Sequence, residues 1–220
     1  MKVVYFDLDG TLIDSAQCSV ISAQATFRKF CNLEVDAQKI TEKMGVPIEV
    51  SFPELSRGAI NAENWDEAAT YFRGVYKENS DIHTKLFGGV EDFLRSIRPC
   101  VDAMYVVTSK KSQPAENNLK ALGIMVYFNG VIGSDRVEHY KPHPDPIFKA
   151  RALLPGIPAR QIMVGDADTD IIMGRAANIK TCAVTWGAHD KARLKKANPD
   201  YIVDTVADLQ KTILEFNIGA

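Results

Sequence analysis

Six short apolar runs constrain this chain more than any other feature of it. They are Val3 to Leu8, Met104 to Val107, Gly130 to Ile132, Ile162 to Val164, Thr181 to Thr185 and Tyr201 to Val203. They are rich in Val, Ile and Tyr and do not alternate polar with apolar positions. A strand with one wet face alternates. A strand buried on both faces does not, and that is the condition of a parallel sheet covered by helices on each side. Helical stretches separate the runs, at Val90 to Ile97, Pro114 to Leu122, Pro146 to Leu154, Asp170 to Ala177 and Val206 to Phe216. The strand–helix rhythm predicts an α/β fold with a doubly wound, Rossmann-like parallel sheet.

One region breaks that rhythm. Between the first run and Leu86 no convincing strand is present. Ala16, Val20, Ala23, Phe27 and Phe30 instead form one helical apolar stripe, with Asp14 or Ser15 as its cap. Asp36 to Met44 reads as a short helix capped by Asp36, with Gly45 just past its end. Asn64 and Glu67 have capping-box spacing before a second stripe of Trp65, Ala68, Phe72, Val75 and Tyr76. The expected organisation is an α/β core of residues 1–13 and 87–220 interrupted by an all-helical cap over 14–86. Asp14, Ser15 and the Leu86 to Gly89 segment would be the hinges of a lid.

Composition narrows the function classes. The chain has 220 residues, 26 basic and 28 acidic side chains and a net charge of -2. No basic excess marks a nucleic-acid platform. No apolar run approaches the roughly 18 residues of a membrane span. The N-terminal apolar stretch is too short for a signal peptide and is interrupted by an acid, so a cytoplasmic location is expected. Cys18, Cys31, Cys100 and Cys182 are widely spaced and read as buried or half-buried free thiols. Either a monomer or a homodimer is compatible with the sequence.

In an open α/β sheet, ligands bind beyond the carboxyl ends of the strands. The first run leads into Asp7-Leu8-Asp9-Gly10-Thr11 and the second into Thr108-Ser109-Lys110. A loop after the third carries Lys141-Pro142-His143-Pro144, and the fourth leads into Gly165-Asp166-Ala167-Asp168-Thr169-Asp170. Asp7 and Asp9 can face one site if the chain leaves the strand between them, and Gly10 permits the tight turn. Asp166 adds a third carboxylate. Acids gathered so closely raise one another's pKa unless a cation is present, and Mg²⁺ takes one or two carboxylates with waters and substrate phosphate. Lys141 and the Thr108 hydroxyl can hold the remaining phosphoryl oxygens. The set reads as metal-assisted phosphoryl transfer through an aspartate nucleophile.

Asp7-Leu8-Asp9-Gly10-Thr11-Leu12 resembles the signature of haloacid dehalogenase superfamily phosphatases. Thr108, Lys141 and Gly165-Asp166-x-x-x-Asp170 match that superfamily's later motifs in order. The helical insert resembles the cap of the phosphoglycolate phosphatase and β-phosphoglucomutase branch, and Met44 to Glu49 its substrate-loop region. The resemblance implies that Asp7 attacks phosphorus and forms an aspartyl-phosphate. Asp9 would protonate the leaving oxygen and then activate water. Asp7, Asp166 and the Asp9 carbonyl would ligate Mg²⁺, with Asp170 supporting the metal waters or Lys141. Thr108, Ser109 and Lys141 would bind the phosphoryl group.

The implied activity is Mg²⁺-dependent hydrolysis of a small phosphorylated metabolite, a phosphoglycolate-like monoester. Pyrophosphatase and β-phosphoglucomutase-like phosphomutase activities are the alternatives. A phospho-accepting switch module orders its acids differently. Asp168, the extra acid of the fourth motif, reads as exposed, as do Lys29, Lys39, Lys43 and Arg57. His139 and His143 flank Lys141, and Trp186 lies past a strand end near the hinge or in the core.

Overall fold

The computed structural model describes residues 1–218, with side chains through Phe216. Strands β1 (Lys2–Phe6), β4 (Ala103–Val107), β5 (Gly130–Ile132), β6 (Arg160–Gly165), β7 (Lys180–Val184) and β8 (Tyr201–Val203) form one sheet. Its order is β5-β4-β1-β6-β7-β8, and every pairing is parallel. These are the six apolar runs, shifted by at most two residues at their ends.

Burial on both faces explains why they do not alternate. Along β1, Val4 and Phe6 join one apolar cluster while Val3 and Tyr5 join another on the opposite face. The first cluster is closed by α5 (Val90–Ile97), α6 (Ser112–Ala121) and α10 (Val206–Ile218). The second is closed by α7 (Asp145–Arg151) and α8 (Asp168–Ala176). The chain builds outward from β1 through β4 to β5, then returns to β6 on the other side of β1. The crevice where those directions diverge lies at the carboxyl ends of β4, β1 and β6, the place where such sheets bind ligands.

Four helices lie between β1 and α5: α1 (Ala16–Cys31), α2 (Ala37–Glu42), α3 (Ile48–Leu55) and α4 (Trp65–His83). They bury a separate apolar cluster of Ala23, Phe27, Val35, Ile40, Phe52, Ile60 and Ala68. Phe52 sits between Phe27 and Phe72, at ring-centroid distances of 4.9 and 5.1 Å. The insert enters and leaves the sheet domain through a short antiparallel ribbon, β2 (Ile13–Asp14) against β3 (Lys85–Leu86). The sequence predicts no strand between the first run and Leu86. Two residues are too few to leave a periodicity.

Two expected helix caps are not formed. Ser15 precedes α1 but makes no capping bond, because its hydroxyl donates to Asp9. Asn64 precedes α4, yet its Oδ1 accepts from the Asn61 backbone N–H behind it. The Asp36 cap does form, accepting from the N–H of Gln38. Cys100 is exposed rather than buried or half-buried; Cys18 and Cys182 are buried and Cys31 is intermediate. Among the described residues, no helix is long and apolar enough to cross a membrane.

Phe6 is fully buried and meets Phe93 and Phe128 edge-on, at 5.9 and 6.1 Å. It also precedes Asp7 directly, so its packing fixes where β1 ends. Phe6→Ala is expected to lower unfolding stability by about 3–5 kcal/mol. Denaturant titration monitored by circular dichroism measures the loss.

Candidate active site

Leaving β1, the Asp7 N–H still donates to the Val164 carbonyl of β6, at 2.9 Å. That bond carries the strand one residue further and fixes Asp7 at the crevice. Lys141 reaches it from the loop after β5. Its Nζ donates to Asp7 Oδ1 and to Asp170 Oδ1, each at 2.6 Å. The three side chains are nearly inaccessible, at 2, 5 and 1% exposure for Lys141, Asp7 and Asp170. The other Asp170 oxygen accepts from the Ala167 N–H, which locks the acid at the start of α8.

Asp166 follows β6 and completes the group. Its Oδ1 accepts from the Thr11 hydroxyl and its Oδ2 from the Ala188 N–H, both at 2.7 Å. Backbone closes in around it. Gly10, at φ +91°, and Gly187 both approach so closely that a Cβ on either would collide with the Asp166 carboxylate. Gly165 stands in the same relation to Asp170. Any side chain at these positions would displace an acid.

One oxygen from each of Asp7, Asp166 and Asp170 lies within 4.8 Å of the others. Burial raises the Asp7 pKa well above the carboxylate range; Lys141 opposes the shift while Asp170 and Asp166 add to it. Burial and then the charge of Asp170 push Asp166 up to about 7, against the bonds from Ala188 and Thr11. Burial also works against the Lys141 ammonium, but Asp170 and Asp7 more than reverse that, so its pKa lies above the ordinary lysine value. One buried ammonium thus faces three buried carboxylates. The uncompensated charge and the all-oxygen donor set fit a hard divalent cation.

Asp9 stands apart from this group. Its Oδ1 accepts from the Ser15 hydroxyl at 2.5 Å and from Lys110 Nζ at 2.8 Å. The three-acid cluster therefore contains Asp170 and not the Asp9 carboxylate, whose expected metal contact was through its backbone carbonyl. Thr108 is buried, and its Oγ1 accepts from the Lys110 N–H. Ser109 donates its hydroxyl to the Gly45 carbonyl in the insert, at 2.7 Å.

Lys110 has no role in the sequence reading, although it lies in the same strand exit as Thr108. Its side-chain partners are Asp9, Tyr76 of α4 and Asn118 of α6, and the meeting of these three segments is not a local pattern. Asp168 is not exposed. The segment after β7 folds back over it, so that Arg193 donates to Asp168 Oδ2 at 2.7 Å and His189 lies 3.4 Å from Oδ1. His139 and His143 are exposed, with ring centroids 4.5 Å apart. Trp186 does both things considered for it: it packs against the core, with its ring tilted 60° to that of Phe87 at 6.4 Å, and donates to the Thr11 carbonyl beside the ribbon.

A cavity of about 530 Å³ lies between insert and sheet, with Asp7, Asp9 and Thr108 on its floor. Ile40, Met44, Val46, Phe52 and Phe72 give it apolar walls. Lys43, Glu49, Arg73 and Lys111 supply charge along it. Lys43 is paired with Glu54 at 2.6 Å, and Glu49 lies 3.5 Å from Arg73 and 4.0 Å from Lys111.

Residues 4–184 match the family model described as haloacid dehalogenase-like hydrolase. The chain is 32% identical to the pyrophosphatase PpaX of Oceanobacillus iheyensis, with 95% of each chain covered. It is similar to the crystal structure of a predicted phosphatase from Clostridium acetobutylicum, with TM-score 0.87, 31% identity and coverage of 97 and 98%. It is also similar to a haloacid dehalogenase-like family hydrolase from Streptococcus pneumoniae, with TM-score 0.83, 29% identity and coverage of 96 and 98%.

The acid cluster makes metal binding and stability depend on pH together. Asp7 and Asp166 hold protons more tightly in the folded than in the unfolded chain. Without a cation, their contribution to stability is present at low pH and is lost as pH rises from about 4, the unfolded value, through about 7. A divalent cation competes with those protons. Mg²⁺ is therefore expected to raise the melting temperature, relative to chelator, more at pH 8 than at pH 5. An equal rise at both values, or the same rise in Asp166→Asn, would remove the cluster as the binding site.

Proposed function

The chain belongs to the haloacid dehalogenase-like hydrolase family, and on that premise we propose that it is a Mg²⁺-dependent phosphatase of small phosphorylated metabolites acting through Asp7. The observation that carries the reading is the buried Lys141 ammonium, held between Asp7 and Asp170, with Asp7 itself on the floor of the cavity. Asp7 Oδ1 is fixed by that ammonium, so its other oxygen is the one presented to phosphorus. Attack there forms an aspartyl-phosphate and expels the leaving oxygen. An ammonium has three hydrogens, and Lys141 uses two on acids. Among the described residues the third has no acceptor, which leaves it for a phosphoryl oxygen.

Asp7, Asp166 and Asp170 would hold the cation, with the Asp9 carbonyl as a further ligand. When bound, it supplies charge neutralisation at the phosphoryl oxygens. Asp9 handles the protons. With Oδ1 occupied by Ser15 and Lys110, Oδ2 is the atom that gives a proton to the leaving oxygen and takes one from water afterwards.

Residues 14–86 act in this reading as a cap domain over a core of 1–13 and 87–220. Their separate apolar cluster and the narrow ribbon connecting them to the sheet support a lid that excludes water. The cavity's volume and apolar walls leave room for an organic leaving group, which favours a phosphomonoester of the phosphoglycolate type or larger. Pyrophosphate is the second reading, favoured by the activity named for the Oceanobacillus relative.

With Mg²⁺, phosphate release is expected to concentrate on one compound in a panel of phosphoglycolate, sugar phosphates, nucleotides and pyrophosphate. Chelator should abolish it. Asp7→Asn should fall to background, and Asp9→Asn should lose about 10²–10⁴-fold in kcat. Undiminished turnover by purified Asp7→Asn would end the nucleophile assignment.

A further inference from the structure

Lys110, which lines the cavity, is held differently from Lys141. Lys110 Nζ donates to Asp9 Oδ1 at 2.8 Å, to the Tyr76 hydroxyl at 2.9 Å and to Asn118 Oδ1 at 2.9 Å. All three ammonium hydrogens are thereby used within the protein. Its backbone is pinned as well: its N–H donates to Thr108 Oγ1, and its carbonyl accepts from the Ser134 N–H. Lys110 and Asp9 are 15 and 16% exposed, so water offers little substitute for the pair. Lys141 keeps one hydrogen for a ligand. Lys110 keeps none, so it does not serve as a phosphate-binding cation.

Its partners come from three parts of the chain. Asp9 follows β1 and Asn118 lies on α6, but Tyr76 belongs to α4 of the helical insert. The ammonium also lies 4.6 Å from the Tyr76 ring centroid. Asn118 extends the connection, its Nδ2 donating to Ser80 Oγ one turn further along α4. The insert therefore reaches Asp9 through a lysine of the sheet domain.

We infer that Lys110 is a positioning residue that fixes the Asp9 carboxyl for proton transfer at Oδ2, and that Tyr76 makes this position depend on the insert being seated. The inference rests on the proposed role of Asp9. Ser15 and Lys110 both hold Oδ1, so the carboxyl cannot rotate its oxygens without breaking two bonds. In the first step the proton moves from Asp9 Oδ2 to the leaving oxygen as the phosphorus–oxygen bond breaks and the bond to Asp7 forms. Lys110 stays an ammonium throughout. With the insert displaced, Lys110 loses its Tyr76 contacts and Asp9 loses its fixed orientation. Attack at phosphorus and alignment of the acid would then be completed together only in the seated form.

Leaving-group dependence tests this. Phenyl phosphate and p-nitrophenyl phosphate have similar shape, but nitrophenolate is the weaker base and needs little proton assistance. Their kcat/KM ratio is measured with Mg²⁺ for wild type, Lys110→Met, Tyr76→Phe and Asp9→Asn. The expected result is a loss on phenyl phosphate about tenfold or more beyond the loss on p-nitrophenyl phosphate in Lys110→Met, as for a misaligned general acid. Tyr76→Phe should shift the ratio the same way by a smaller factor, and Asp9→Asn by the largest. An unchanged ratio in Lys110→Met and Tyr76→Phe, whether or not overall rates fall, overturns the positioning role. Tyr76→Phe removes a single oxygen, so it decides the question alone if Lys110→Met does not fold. Wild type that cleaves neither ester in the presence of Mg²⁺, nor any compound of the wider panel, would remove the phosphatase reading itself.

Discussion

The Lys141 ammonium, buried between Asp7 and Asp170, is the interaction on which the rest of the arrangement depends. A charge at that depth is tolerated only when paired and hydrogen-bonded. Its two partners follow β1 and β6, while the lysine itself comes from the loop after β5. The pairing therefore ties together three connections that the topology brings to one edge. Removing the lysine would leave adjacent acids facing one another with no counter-charge from the protein. Removing either acid would leave the lysine half-satisfied. The same arrangement leaves Asp166 without a cationic side chain. It accepts instead from the Thr11 hydroxyl and from backbone N–H groups, and burial and then the charge of Asp170 raise its pKa to about 7. The protein's own charges are incomplete on the side where a cation fits.

The helical insert meets this edge by a different means. Its apolar cluster is independent of both sheet faces, and a two-residue ribbon carries it. That division leaves a cavity between two parts of the structure with separate apolar clusters. The cavity has chemical groups on its floor, from the sheet side, and apolar and charged side chains on its walls, largely from the insert. In the proposed function, chemistry and recognition of the leaving group thus fall to different parts of the sequence.

Much of this was legible before any coordinates, for reasons visible in particular residues. The six strands were legible because burial on both faces leaves apolar runs such as Ala103 to Val107 unbroken. Asp7, Thr108, Lys141 and Asp166 were legible as a set because each follows a strand, and a doubly wound sheet gathers strand ends at one edge. What escaped was non-local. Ser15 has the position and chemistry of a helix cap, but Asp9 competes for its hydroxyl. Asn64 likewise bonds backward to Asn61 instead of forward. Asp168 looks like a solvent-facing acid until the segment carrying His189 and Arg193 folds across it. Lys110 carried no signal because Tyr76 and Asn118, its partners, lie in helices whose meeting depends on the tertiary fold.

The contacts that seat the insert also bear on how recognition could change. Two of them are made to its backbone and not to its side chains. Ser109 of the sheet domain donates to the Gly45 carbonyl, and His189 Nε2 lies 3.3 Å from the Glu42 carbonyl. The His189 Nδ1 accepts from the Asp168 N–H, so the proton on Nε2 is available for that carbonyl. Gly45, at φ +91°, brings the same segment against Ala167, where a Cβ would lie 3.1 Å from the alanine methyl. The residues in and just after this stretch, Lys43, Met44, Val46, Ile48 and Glu49, present side chains to the cavity. A carbonyl accepts a hydrogen bond whatever side chain its residue carries. Under the proposed function, substitutions at the cavity-facing positions would therefore alter which leaving group fits while these two backbone contacts stay available. Gly45 has no such freedom, because its conformation and its approach to Ala167 both require the missing side chain.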